Sequence, residues 1–177
     1  MGSSRPATLA RHGRQHGPWC APPPRSQGQT WAVDAQDLIE RLGLAPHPEG
    51  GWYRENWRDV AADGGRGVGS AIYFLLAAGE RSHWHRVDAA EAWHHYAGDP
   101  LELAIAEGGD HEVVRLGSDL AEGTEPQAVV PARAWQAARP LGAWSLVGCT
   151  VAPAFDFSGF ELAAPDWTPE GWAAPGW

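Results

Sequence analysis

Gly79-Glu80-Arg81-Ser82-His83-Trp84-His85-Arg86-Val87-Asp88-Ala89-Ala90-Glu91-Ala92-Trp93-His94-His95-Tyr96-Ala97-Gly98 is the stretch on which the reading of this chain turns. It reads as two short strands, Arg81 to His85 and Ala92 to Tyr96, joined by a turn. Side chains alternate faces along a strand, so His83 and His85 are expected on one side, and Glu91 returns to them on the adjacent antiparallel strand. Two imidazoles and a carboxylate with open positions would suit one divalent metal such as Fe, Mn, Zn or Ni. The same groups, left without metal, would hydrogen-bond an organic ligand or simply stand in a sheet wall.

Outward from this stretch the pattern stays strand-like. Leu38, Ile39 and Leu42 make the apolar stripe of one short N-terminal helix over Asp34 to Leu44, with Asp34 as N-cap and Gly43 as stop. Gly51 to Trp57 reads as a strand, Val60 to Gly69 with its four glycines as a loop, and Ala71 to Leu76 as a buried strand. Further strands are expected at Leu101 to Ala106, His111 to Leu116, Gln127 to Val130, Trp135 to Ala138 and Trp144 to Ala152. Many short strands with turn signals between them argue for an all-β sandwich or barrel, with a jelly roll as the natural candidate.

A length of 177 residues suits one domain with a core of its own. Residues 1–30 lack apolar periodicity and read as a disordered extension, whose Arg11, His12, Arg14 and His16 read as solvated. The segment from Ala163, rich in Pro, Gly and Trp, reads as a tail on which Trp167, Trp172 and Trp177 pack as isolated anchors or hang free. With 22 acidic residues against 13 basic ones, a formal charge of -9, neither nucleic acid nor an anionic membrane is an expected partner. All the basic residues other than histidine are arginines, so lysine Schiff-base chemistry is excluded. Cys20 and Cys149 are poorly placed to form a disulfide, no apolar run is long enough to span a membrane, and no signal-peptide pattern opens the chain; a cytoplasmic protein is expected.

Several phrases together resemble one family. Gly79 to Gly98 is similar to the first cupin motif, a glycine, a His-X-His pair, a glutamate and a closing glycine. His47-Pro48-Glu49-Gly50-Gly51-Trp52-Tyr53-Arg54-Glu55, Ala71 to Leu76, Trp93 to Pro100, Val129-Val130-Pro131 and Leu146 to Phe157 resemble the DUF985 branch of the cupins, the resemblance covering residues 34–163. It implies a double-stranded β-helix jelly roll over residues 31–165 with a pocket inside the barrel, a homodimer, and a tail from 166 to 177. The second cupin motif would begin at Pro131 and place Arg133 at its glycine and Gln136 at the histidine that completes the metal set. Glutamine can offer a carbonyl oxygen to a hard cation, but it is a poorer ligand than imidazole for zinc, iron or nickel.

The candidate residues divide by role. His83, His85, Glu91 and Gln136 form the candidate metal set. His85 and His95 are the candidate proton carriers, because imidazole titrates near neutrality; His95 shares a face with Glu91 and Trp93 by strand parity, whereas His94 shares one with Tyr96. Trp52, Trp84, Trp93 and Trp135 offer aromatic faces to a sugar or planar ring, and Arg54 could pair with a carboxylate or phosphate. The expected function is binding of a small polar metabolite, a carbohydrate or planar acid, by a metal-assisted or histidine-based isomerase, epimerase or oxygenase. The contrasting expectation is a binding or sensing module that leaves its ligand unchanged. No nucleophile elbow, phosphate loop, dinucleotide fingerprint or spaced cysteine pair is present.

Overall fold

The computed structural model describes residues 33–173 and Trp177. The expected extension over residues 1–30, its basic side chains and Cys20 lie outside the described residues. The first element is α1, Ala35–Leu42, and its ends form as the sequence dictates. The Asp34 carboxylate accepts from the Asp37 amide at 2.8 Å, and Gly43 closes the helix in the left-handed conformation at φ 61°. No residue of α1 is fully buried, so it lies on the surface against the sheet.

Eleven strands follow in the described chain: β1 Ala45–Pro46, β2 Trp52–Val60, β3 Arg66–Ala77, β4 Ser82–Val87, β5 Ala90–Gly98, β6 Leu101–Glu107, β7 Asp110–Leu116, β8 Gln127–Val130, β9 Trp135–Pro140, β10 Trp144–Ala152 and β11 Phe160–Leu162. They form a six-stranded sheet in the order β1-β2-β3-β10-β5-β8 and a five-stranded sheet in the order β11-β4-β9-β6-β7. Every ladder between these strands is antiparallel. From β3 to β6 each successive strand changes sheet, and it does so again from β7 to β10. The central pairings, β3 with β10 and β4 with β9, therefore join distant parts of the sequence. This is the all-β double-stranded β-helix with one short N-terminal helix.

Three elements differ from the sequence expectation. Arg66 to Gly69 belong to β3 rather than to a loop. Their glycines serve close packing: a Cβ on Gly67 would lie 2.1 Å from the Asp59 carbonyl oxygen, and Gly69 lies beneath the Trp57 indole. The edge strands β1 and β11, of two and three residues, are too short to show a period.

Between the sheets, Phe74, Leu76, Trp93, Leu101, Leu103, Leu116, Val130 and Val147 fill one part of the barrel. The outer face of the five-stranded sheet is buried too. Trp84, Ala104, Ala106 and Ala137 are covered by Trp135, Trp167, Trp172 and Trp177, with ring centroids 4.9 Å apart for Trp84 and Trp172 and 4.3 Å for Trp135 and Trp167. Arg86 lies 4.7 Å over the Trp135 ring and Arg139 4.6 Å over Trp177. The tail tryptophans thus form a shared layer instead of isolated anchors. Trp84 is wholly buried at its centre, so Trp84→Ala should cost about 3–5 kcal/mol of stability, read from the denaturant midpoint.

Candidate functional site

The site begins in the turn His47 to Gly51. Gly50 donates to the His47 carbonyl and His47 to the Gly51 carbonyl, both at 3.0 Å. Gly50 has φ 109° and Gly51 φ 69°, and a Cβ on Gly50 would lie 2.2 Å from the Arg81 carbonyl oxygen. Only glycine tolerates both the backbone angle and that contact. The turn is therefore pressed onto the start of β4, where the His83 amide donates to the Glu49 carbonyl at 2.8 Å, and the His47 and Glu49 side chains enter the barrel.

On β4 the strand parity breaks. Ser82 pairs with Ala138 and His85 with Gln136, so three steps on β4 face two on β9. The irregularity turns both Ser82 and His85 inward and sends His83 to the outer side, where Trp84 also lies. The His83 ring lies 2.9 Å from the Ala164 carbonyl, and Trp84 joins the tryptophan layer.

Inside, Glu49 is the hub. Its Oε1 accepts from Ser82 Oγ at 2.9 Å, and its Oε2 lies 3.3 Å from both His85 Nε2 and His47 Nδ1. His85 Nδ1 lies 2.8 Å from the His83 carbonyl oxygen, which can only accept, so Nδ1 carries a proton. Nε2 thus faces Glu49. Phe160 stacks on the imidazole with centroids 5.5 Å apart.

Glu91 approaches from β5. Its Oε2 accepts from Gln136 Nε2 at 2.6 Å, while Gln136 Oε1 accepts from the Trp93 indole at 2.9 Å, and Cys149 is hydrogen-bonded to the same carboxyl. The two buried carboxyls are driven apart in acidity. Burial raises Glu49, but His85, His47 and Ser82 together outweigh it and hold it below its ordinary value. Burial also raises Glu91; His85 pulls it back, the charge of Glu49 pushes it up, and the net shift is upward. Burial, with Glu91 and Glu49 nearby, pushes the Cys149 thiol well above its usual range.

These groups face a cavity of about 200 Å³. Tyr53, Ser70, Glu55 and Arg58 add polar groups to its wall. Glu55 and Arg58 both reach it because β2 slips register between Glu55 and Trp57. All four phenylalanines of the sequence, Phe74, Phe155, Phe157 and Phe160, line its apolar side together with Ile72, Val87 and Val151.

Of the residues singled out from sequence, the structure brings His85 and Glu91 together at the cavity. Gln136 stands behind Glu91, fully buried and with its amide engaged at both ends. His83 is not among them. With His83 on the other side of the sheet and the Gln136 oxygen accepting from Trp93, the four do not converge as ligands, and among the described residues no group of three His, Cys, Asp or Glu is arranged to hold a metal ion. His95 lies away from the cavity, with Nε2 3.1 Å from the Asp99 carbonyl oxygen. None of the four tryptophans lines the cavity. Trp52 donates to Glu80 at 3.0 Å, Trp93 is packed in the core, and Trp84 and Trp135 lie on the outer face; Arg54 sits 5.4 Å over Tyr73. The central groups that sequence reading missed are His47 and Glu49. Their signal was the turn glycines beside them, which mark a close backbone approach.

A double-stranded β-helix with imidazole and carboxylate side chains turned into one end of the roll defines a cupin barrel. Arg133 keeps the left-handed φ of 70° at the place where the second cupin motif has glycine. The family model described as Cupin superfamily (DUF985) matches residues 36–163, and the chain belongs to this family. Similar solved structures include protein SO0799 from Shewanella oneidensis, at 41% identity and TM-score 0.71 over 75% of this chain and 85% of that one. A hypothetical protein from Leishmania major is 33% identical, with TM-score 0.65 over 73% and 86% of the two chains. A variant of the oxalate decarboxylase of Bacillus subtilis shares the fold alone, at 13% identity and TM-score 0.52 over 67% of this chain and 29% of that one. No curated protein matches the chain.

Two outcomes follow from the site's construction. Gly50→Ala should cost about 1–3 kcal/mol, measured by chemical denaturation, because it strains the turn that seats Glu49. The carboxyls make opposite contributions to the pH dependence of stability. The contribution of Glu49, whose folded pKa is lowered, is present above the ordinary value of 4.5 and is lost as pH falls through the folded value. That of Glu91, whose folded pKa is raised, is present below 4.5 and is lost as pH rises through the folded value. Denaturant midpoints measured from about pH 4 to 8 should therefore show Glu91→Gln gaining stability relative to wild type as pH rises.

Proposed function

We propose that the barrel cavity binds a small polar metabolite with a ring or carbonyl group, and that Glu49, His85 and Glu91 move protons on it as an isomerase or epimerase. The observation that carries this reading is the buried His85 facing Glu49, with Glu91 at the same cavity and the two carboxyls pushed in opposite directions. Two titratable groups held apart in acidity are suited to act as base and acid in one step. The Glu49–His85 pair would take a proton from the carbon beside a carbonyl. The electron pair of that C–H bond would form the carbon–carbon double bond of an enol as the carbonyl π pair moves to its oxygen, which would receive the proton of Glu91. Return of a proton to the other face of that carbon, as the enol hydroxyl gives its proton back to Glu91, would give the epimer; return to the former carbonyl carbon, as the neighbouring hydroxyl gives its proton to Glu91, would give the isomer. The phenylalanine wall opposite suits the apolar face of a sugar ring, and the polar wall suits its hydroxyls.

A panel of aldoses, ketoses and hydroxy acids incubated with the protein in deuterium oxide tests this by NMR. Deuterium should enter beside the carbonyl of at least one compound, and Glu49→Gln and His85→Ala should each slow that exchange by about 10²–10⁴-fold. A compound that binds in equilibrium dialysis yet never exchanges would assign the cavity to a binding module instead.

A further inference from the structure

The cavity is closed on one side by the connection from Pro153 to Gly159 between β10 and β11. Two consecutive carbonyls are gripped by two arginines in the same manner. Arg58 forks onto Glu55 through Nε and Nη2, and its Nη1 donates to the Phe155 carbonyl at 2.7 Å. Arg66 forks onto Asp88 through Nη1 and Nη2, each at 2.8 Å, and its Nε donates to the Ala154 carbonyl. The Phe155 amide donates to Ser70 Oγ at 2.9 Å, the Ala154 amide to the Gly67 carbonyl at 3.0 Å, and the Asp88 amide to the Gly159 carbonyl at 3.0 Å. Three side-chain bonds and two backbone bonds thus hold the segment where a ladder does so elsewhere. Phe157, on the stretch between these anchors, is 58% exposed although its ring also borders the cavity.

We propose that the Pro153–Gly159 segment is a strap that opens to admit ligand to the cavity, and that Arg58 and Arg66 are the latches that hold it shut. The purpose of such a strap rests on the cavity being a ligand site, but its opening does not. Each latch is solvent-reachable, with side chains 29% and 28% exposed at Arg66–Asp88 and 39% and 38% at Arg58–Glu55, so each breaks at a small fraction of the cost of unfolding the barrel. A core strand offers no comparable release. Phe157 swings with the strap and returns to cover whatever has entered.

Cys149 reports on the opening, since its buried thiol lines the cavity. In full-length protein carrying Cys20→Ser, reaction of Cys149 with methyl methanethiosulfonate at fixed pH is followed by mass spectrometry of the intact chain. Arg66→Ala is the decisive variant, because Arg66 does not line the cavity and its loss does not widen the entrance. It should accelerate labelling about tenfold, as loss of one charge-assisted hydrogen bond would, and Arg58→Ala should do at least as much. Raising ionic strength should speed labelling of the protein with both arginines and not of the double variant. Trp167→Ala, which loosens the tryptophan layer on the outer face of the barrel, serves as the control for general destabilisation. Labelling of Arg66→Ala at the unsubstituted rate, or equal acceleration by Trp167→Ala at matched loss of stability, would overturn the strap. Failure of the exchange experiment on sugars would leave this result untouched, so the two readings fall separately.

Discussion

A carboxylate buried in a β-barrel must be compensated where it stands, and the arrangement around Glu49 is that compensation. The group is 8% exposed, and an uncompensated charge there would cost several kcal/mol. Its partners come from separate parts of the chain: His47 from the turn before β2, and Ser82 and His85 from β4. Its own backbone carbonyl holds the His83 amide. One residue thus joins the turn, the irregular strand and the interior of the cavity. The bulge on β4 is part of the same solution, since a regular strand that turned His85 inward would have placed His83 there and Ser82 outside.

The barrel interior is divided accordingly. Leucines, Val130, Val147 and Trp93 fill the dry part, and Trp93 satisfies its indole through Gln136. Gln136 passes that bond on to Glu91, so the apolar core and the polar cavity are joined by one chain of hydrogen bonds. The same glutamine stands where the general cupin pattern has a metal-binding histidine. Here its amide orients a carboxyl, donating to Glu91 from one end and accepting from Trp93 at the other.

The legibility of the sequence followed the range of the forces involved. The helix with Asp34 and Gly43 at its ends was readable because capping is settled within a few residues. The strands from β4 to β10 were readable because alternation and turn residues are local signals. The glycines of Arg66 to Gly69 misled because Gly67 and Gly69 answer to Asp59 and Trp57 across a hairpin, not to flexibility. His83 misled for a related reason: which face of a strand a side chain takes depends on parity, and parity at His83 is reset by the irregular pairing of β4 with β9.

By itself the sequence determined the all-β roll, its family and the neighbourhood of His85 and Glu91, since pattern, turn chemistry and shared phrases need no knowledge of long-range contacts. Only the tertiary structure decided which histidines meet. The pairing of β4 with β9 excluded His83, and the packing of Gly50 against Arg81 brought in His47 and Glu49 from a turn far back along the chain. Those outcomes depend on register and on the close approach of distant backbones, and neither is written in the order of residues along a strand.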